Sequence, residues 1–139
     1  SDLAITTEGF RAQGELIAHW EMDDVAPEGW TTAGVEVIWT IDWTGGEAQL
    51  AAAKERHTAG DVCVFKPLTG EFVARIPETA ARIYVADVLG DRREEIVVWN
   101  VDELHIYENT APNPRPDHER LWSQSHYRRS RQTWNYYSP

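Results

Sequence analysis

Asp87, Asp91 and Glu95 are the residues of this chain whose types and spacing best suit chemistry. In Asp87-Val88-Leu89-Gly90-Asp91, two carboxylates stand four residues apart around a glycine. Glycine tolerates the backbone of a tight loop. Such a loop lets both carboxylates, and a backbone carbonyl between them, converge on one point. Glu95, at the start of the next apolar run, can supply a further oxygen. Hard divalent cations take six to eight oxygens at roughly 2.3 to 2.6 Å, so the chemistry on offer is calcium coordination. A turn held only by side-chain hydrogen bonds to its own backbone accounts for the same residues without metal. The spacing is not that of a full EF-hand loop.

The turn occurs twice. Ile41-Asp42-Trp43-Thr44-Gly45-Gly46-Glu47 aligns with Ala86-Asp87-Val88-Leu89-Gly90-Asp91-Arg92, placing Asp42 against Asp87 and Gly45 against Gly90. The first copy is the weaker: Gly46 stands where Asp91 stands, and Gln49 falls near the place of Glu94 or Glu95. It keeps Asp42 but is expected to hold no ion. A period near 45 residues fits one blade of a β-propeller.

The elements that position these turns read as strands. Val35, Val37, Trp39 and Ile41 alternate with Glu36, Ile38, Thr40 and Asp42, a period of two. Val62 to Phe65, Phe72 to Ile76, Ile83 to Val85, Ile96 to Trp99 and Leu104 to Tyr107 are further short apolar runs. Polar links and turn residues separate them. Ala48 to Lys54 is alanine-rich and suits a helix by propensity, but its repeat position matches Glu95 to Trp99 and calls for a strand. The repeat position favours the strand. The expected fold is all-β: antiparallel four-stranded propeller blades, about three of them in 139 residues. A closed propeller needs at least four blades. The chain is therefore expected to be part of a larger propeller, or to assemble with further copies of itself.

Residues 109–117 contain Pro112, Pro114 and Pro116 and read as an extended connector. Residues 118–139 are basic and aromatic, with Trp122, Tyr127, Trp134, Tyr136 and Tyr137 among arginines. This closing segment is expected to lie across other blades. It offers His126, Tyr127, Arg128 and Arg129 in sequence. Histidine or tyrosine can act as acid or base, and arginine can hold a carboxylate. Neighbours on a strand point to opposite faces, so not all four can share one site. In the simpler reading the arginines are solvated and Tyr127 is packed.

Charge and composition exclude several classes. The formal net charge is -10, which disfavours nucleic acid as a partner. No apolar stretch approaches the length of a membrane span. Cys63 is the one cysteine and sits in an apolar run, so no disulfide framework exists. Seven tryptophans and five tyrosines mostly serve packing, with some available to stack on sugar rings. No pair of histidines has zinc-ligand spacing with a third ligand nearby.

Asp87 to Asp91, then Arg93-Glu94-Glu95-Ile96-Val97-Val98, then Leu104-His105-Ile106-Tyr107-Glu108-Asn109-Thr110, resembles the carboxy-terminal part of rhamnogalacturonan lyases of the eleventh polysaccharide lyase family. Ile41-Asp42-Trp43 looks like another of their blade turns. Tyr127-Arg128 and Asn135-Tyr136 resemble their closing segment. The likeness runs from about Val35 to Pro139. It implies an eight-bladed propeller with bound calcium, secreted to an extracellular or periplasmic setting, that cleaves an acidic plant polysaccharide by β-elimination. It also implies Asp87, Asp91 and Glu95 as calcium ligands, with the carbonyl of Leu89. The rival expectation is a non-catalytic module of integrin-like repeats, in which calcium only braces the loops. As an isolated segment, neither is expected to show activity.

Overall fold

Strand β1 (Thr6–Phe10) pairs antiparallel with β2 (Leu16–Glu21), and a single turn of helix, α1 (Met22–Val25), follows. The computed structural model describes residues 6–10 and 15–133. Strands β3 (Val35–Ile41), β4 (Leu50–Glu55), β5 (Gly60–Phe65) and β6 (Phe72–Ala80) form a four-stranded antiparallel meander in chain order. Strands β7 (Arg82–Ala86), β8 (Glu95–Trp99) and β9 (Leu104–Tyr107) form a three-stranded antiparallel sheet. A 3-10 turn (Leu121–Ser123) and helix α2 (Ser125–Thr133) end the described chain. The protein is thus all-β with short helical additions.

Two apolar clusters explain the layering. Alternate residues of the central strands go to opposite faces: Ala52, Val62 and Val64 join Ile83, Val85, Ile96 and Val98 between the two sheets. Ala51, Ala53, Cys63 and Phe65 meet Trp20, Met22 and Trp30 on the other side. The four-stranded sheet is therefore covered on both faces, which is why β4 and β5 are almost wholly buried rather than alternating. Burial pushes the Cys63 thiol up to about 12, as fits an inert packed side chain.

The alanine run resolves the conflict between helix propensity and repeat position in favour of a strand. Ala51, Ala52 and Ala53 sit between bulky neighbours on both faces, where small side chains allow close approach. Tertiary packing outweighs the few tenths of a kcal/mol per residue that favour an alanine helix. The period of two in β3 is broken by a bulge between Glu36 and Trp39, where Val37 takes φ of 55°. As a result Val35 faces the cluster of Trp20, while Trp39 and Ile41 face the inter-sheet core.

Residues 109–117 form no regular element and strap across both turns. Asn109 Nδ2 donates to the Trp43 carbonyl at 2.9 Å, and Asn113 Nδ2 to that of Asp91 at 3.1 Å. Arg93 Nη1 donates to the Ala111 carbonyl at 2.7 Å. Residues 118–133 differ from the sequence expectation in one respect. His126 to Arg129 lie on a helix, not a strand. Trp134, Asn135, Tyr136 and Tyr137 lie outside the described residues.

Candidate metal centre

The two turns have the same internal hydrogen bond. Asp42 Oδ1 accepts from the Gly45 amide at 2.9 Å, and Asp87 Oδ1 from the Gly90 amide at 2.7 Å. Both glycines take positive φ, 75° and 81°, a conformation side chains with a Cβ rarely adopt. Each turn joins the first strand of its sheet to the second, β3 to β4 and β7 to β8. The aspartate side chain closes the loop on itself and leaves its second oxygen for other work.

At the second turn the aspartate has carboxylate neighbours. One carboxylate oxygen from each of Asp87, Asp91 and Glu95 lies within 4.8 Å of the others. Two oxygens each ~2.4 Å from a shared calcium ion lie at most ~4.8 Å apart, so the spacing suits one hard cation. Asp87 and Glu95 are buried, and Asp87 Oδ2 is enclosed with no hydrogen-bond partner. A buried carboxylate oxygen without a partner is costly, and a cation would satisfy it. Burial holds the carboxyls of both Asp87 and Glu95 above their ordinary pKa, and the charge of Asp91 adds to the effect on each. The donor set is entirely oxygen, as calcium prefers.

The remaining lone pairs organise the loop. Glu95 Oε2 accepts the amides of Val88 and Leu89 at 2.8 and 2.9 Å. Leu89 thereby enters the site through its amide, while its side chain is exposed. Asp91 Oδ2 takes the guanidinium of Arg93, at 2.8 Å from Nε and 2.6 Å from Nη2. Arg93 is buried and tempers the negative charge of the cluster. Glu95 Oε2 and Asp91 Oδ2 each accept two hydrogen bonds and are filled, so the room for a cation lies at Glu95 Oε1, at the second lone pair of Asp91 Oδ1 and at Asp87 Oδ2.

The first turn carries a different cation. Arg115 reaches back from the proline-rich connector and donates through Nε to the Gly45 carbonyl at 2.6 Å, and through Nη2 to that of Gly46. His118 Nε2 lies 3.9 Å from Asp42 Oδ2. Burial holds the Asp42 carboxyl above its ordinary pKa, against the pull of His118 and Arg115. With Gly46 in the place of Asp91, the chain supplies a guanidinium where the second turn gathers carboxylates.

Glu94 ties the two turns together. Its Oε2 accepts the Asp42 amide at 2.8 Å, and its own amide donates to the Asp42 carbonyl at 2.8 Å. Its Oε1 accepts from Tyr127 Oη and Arg131 Nη2, both at 2.7 Å. The Arg131 guanidinium also lies over the rings of Trp39 and Tyr127, 4.9 Å from each centroid. Burial, then the Glu94 charge, raises the Tyr127 phenol above its ordinary pKa.

The tail residues named from sequence separate accordingly. Tyr127 is buried and committed to Glu94, whereas His126, Arg128 and Arg129 are exposed. Arg128 turns back to the carbonyls of Trp122 and Ser123 at 2.9 and 3.1 Å. Consecutive helical residues are ~100° apart, so the four do not converge. Glu94, Trp122 and Arg131 carry more of the network than sequence reading assigned them. The signal for Arg131 was its spacing of four from Tyr127, which puts both on one helix face.

Comparisons with family models, with curated proteins and with solved structures return no match to this chain.

Proposed function

We propose that this chain is a calcium-braced segment of a β-propeller, made of consecutive blades, from a secreted lyase acting on an acidic plant polysaccharide of the rhamnogalacturonan type. The observation that carries the calcium reading is the carboxylate triad with its enclosed, unpartnered Asp87 Oδ2. Two face-packed antiparallel sheets, each with the same aspartate-glycine turn after its first strand, support the blade reading. Asp87, Asp91 and Glu95 would hold the ion, which supplies positive charge where three carboxylates crowd together. The chain's own residues orient the loop: Arg93 fixes Asp91, and the amides of Val88 and Leu89 fix Glu95. Free calcium is abundant in extracellular and periplasmic settings, and missing blades or further copies of the chain would complete the propeller.

β-Elimination beside a uronate needs its carboxylate neutralised, a base at the adjacent carbon and an acid at the leaving oxygen. Among the described residues Tyr127 and Arg131 are both committed to Glu94. That observation favours a second reading, in which the segment is a bracing and binding module of integrin-like repeats without catalysis of its own.

Two measurements test the proposal separately. Calcium added to chelator-treated protein should raise the unfolding midpoint, and should not do so for Asp91→Asn. Equal responses sink the metal reading. Retention on immobilised rhamnogalacturonan, compared with an immobilised neutral glucan, tests the polysaccharide. Equal or absent retention sinks that part. Unsaturated product from the isolated segment would overturn the expectation that it is inactive alone.

A further inference from the structure

A crevice of about 200 Å³ opens between α2 and the ends of the two sheets. Its walls include Thr40 on β3, Gln49 ahead of β4, Glu94 ahead of β8, and Gln124, His126 and Arg131 from the tail. Arg131 lines it, and Arg131 Nε is buried with no hydrogen-bond partner among the described residues. The Arg131 side chain is only 9% exposed, and its other end is fixed by Glu94 and by the rings of Trp39 and Tyr127. The orphaned donor is therefore held in a set direction rather than free to swing. The side chains of Thr40, Gln49, Gln124 and His126 hydrogen-bond to no other described residue.

We infer that this crevice is a subsite for one neutral sugar ring. Its groups left uncommitted among the described residues are a hydroxyl, two amides and an imidazole, a mixture that matches hydroxyls able both to donate and accept. Ligand pockets for drug-sized molecules begin at ~300 Å³, so this one suits a single pyranose. Arg131 is already neutralised by Glu94 at 2.7 Å, so a uronate would bring its charge to a carboxylate without an unpaired cation facing it. A neutral ring meets no such cost. The choice of a sugar over another polyol rests on the polysaccharide reading above, whereas the crevice and its free donors stand on geometry alone.

The test is a titration of the whole chain with L-rhamnose, D-galactose, D-galacturonate and glycerol, followed by NMR at the His126 ring and the Arg131 Nε–H. A neutral sugar should shift both signals saturably, with a dissociation constant on the order of millimolar. Gln124→Leu and His126→Ala, whose side chains hydrogen-bond to no other described residue, should each weaken that constant at least about threefold. Unsaturable shifts, equal shifts with glycerol, or unchanged affinity in both variants would overturn the subsite. Tighter binding of galacturonate would overturn the neutral-ring assignment. Loss of the calcium response with sugar binding intact would instead count against the metal reading alone.

Discussion

The Asp87 amide donates to the phenolic oxygen of Tyr127 at 3.0 Å, and the Asp87 carbonyl accepts from Trp122 Nε1 at 2.6 Å. The backbone of one proposed metal ligand is thus gripped on both sides by the tail, while its side chain belongs to the carboxylate cluster. Fixing the Asp87 side chain with a cation should also fix the tail. Calcium is expected to slow amide exchange in α2 of the native chain, with a smaller effect in Trp122→Phe. Exchange in α2 that ignores calcium would show that the two are not linked.

Tyr127→Phe removes the hydroxyl that bridges Asp87 and Glu94 in a buried setting. It leaves the Asp87 amide without a partner and Glu94 Oε1 with Arg131 alone, which costs about 1–3 kcal/mol. The midpoint of thermal unfolding should fall by roughly 3 °C per kcal/mol at this chain length. A change within error of zero would mean that water replaces the hydroxyl and that Tyr127 acts by packing alone.

The two turns should bind unequally. With calcium at 100 times its dissociation constant, selective binding to the folded chain contributes about 2.7 kcal/mol. Titration calorimetry is expected to give one ion per chain, because Arg115 already covers the Gly45 and Gly46 carbonyls. Asp87→Asn should abolish the heat, and Asp42→Asn should leave it. Two ions per chain would show that Arg115 yields its place.

How far the sequence carried this picture depended on whether a residue's partners were local. The paired turns and the strands around them follow local patterns, and Asp87, Asp91 and Glu95 lie within nine residues of one another, so their meeting could be read from spacing. The repeat also overrode alanine propensity correctly in β4. Glu94 was not legible, because its partners Asp42, Tyr127 and Arg131 are 52, 33 and 37 residues away. The helical form of residues 125–133 was missed for a related reason. Its arginines and serine give little apolar periodicity, and the buried side is a single tyrosine joined to a guanidinium that stacks on Trp39. The flip of face at Val37 depends on a bulge that no pattern in β3 announces.

A final expectation concerns pH. His105 on β9 places Nδ1 2.7 Å from Glu78 Oε2 and Nε2 3.0 Å from Glu103 Oε2. Tyr107 Oη donates to the same Glu78 oxygen at 2.7 Å. With a carboxylate at each ring nitrogen, the doubly protonated imidazolium is favoured. Hydrogen bonds first, then charge, raise His105 above its ordinary 6.5, led by Glu78. The bonds from His105 and Tyr107 lower Glu78 to about 2. For His105 the stabilisation is fully present below 6.5 and is lost as pH rises through the raised folded value. For Glu78 it is present above 4.5 and is lost as pH falls toward 2. The pair therefore contributes most between those limits, at mildly acidic pH. Unfolding midpoints measured from about pH 5 to about pH 9 should fall across the His105 titration in the native chain. The fall should be smaller in His105→Gln, which keeps a hydrogen-bonding amide but no titrating group. A His105 ring that titrates by NMR at or below 6.5, or an unchanged pH profile in the variant, would sink the assignment.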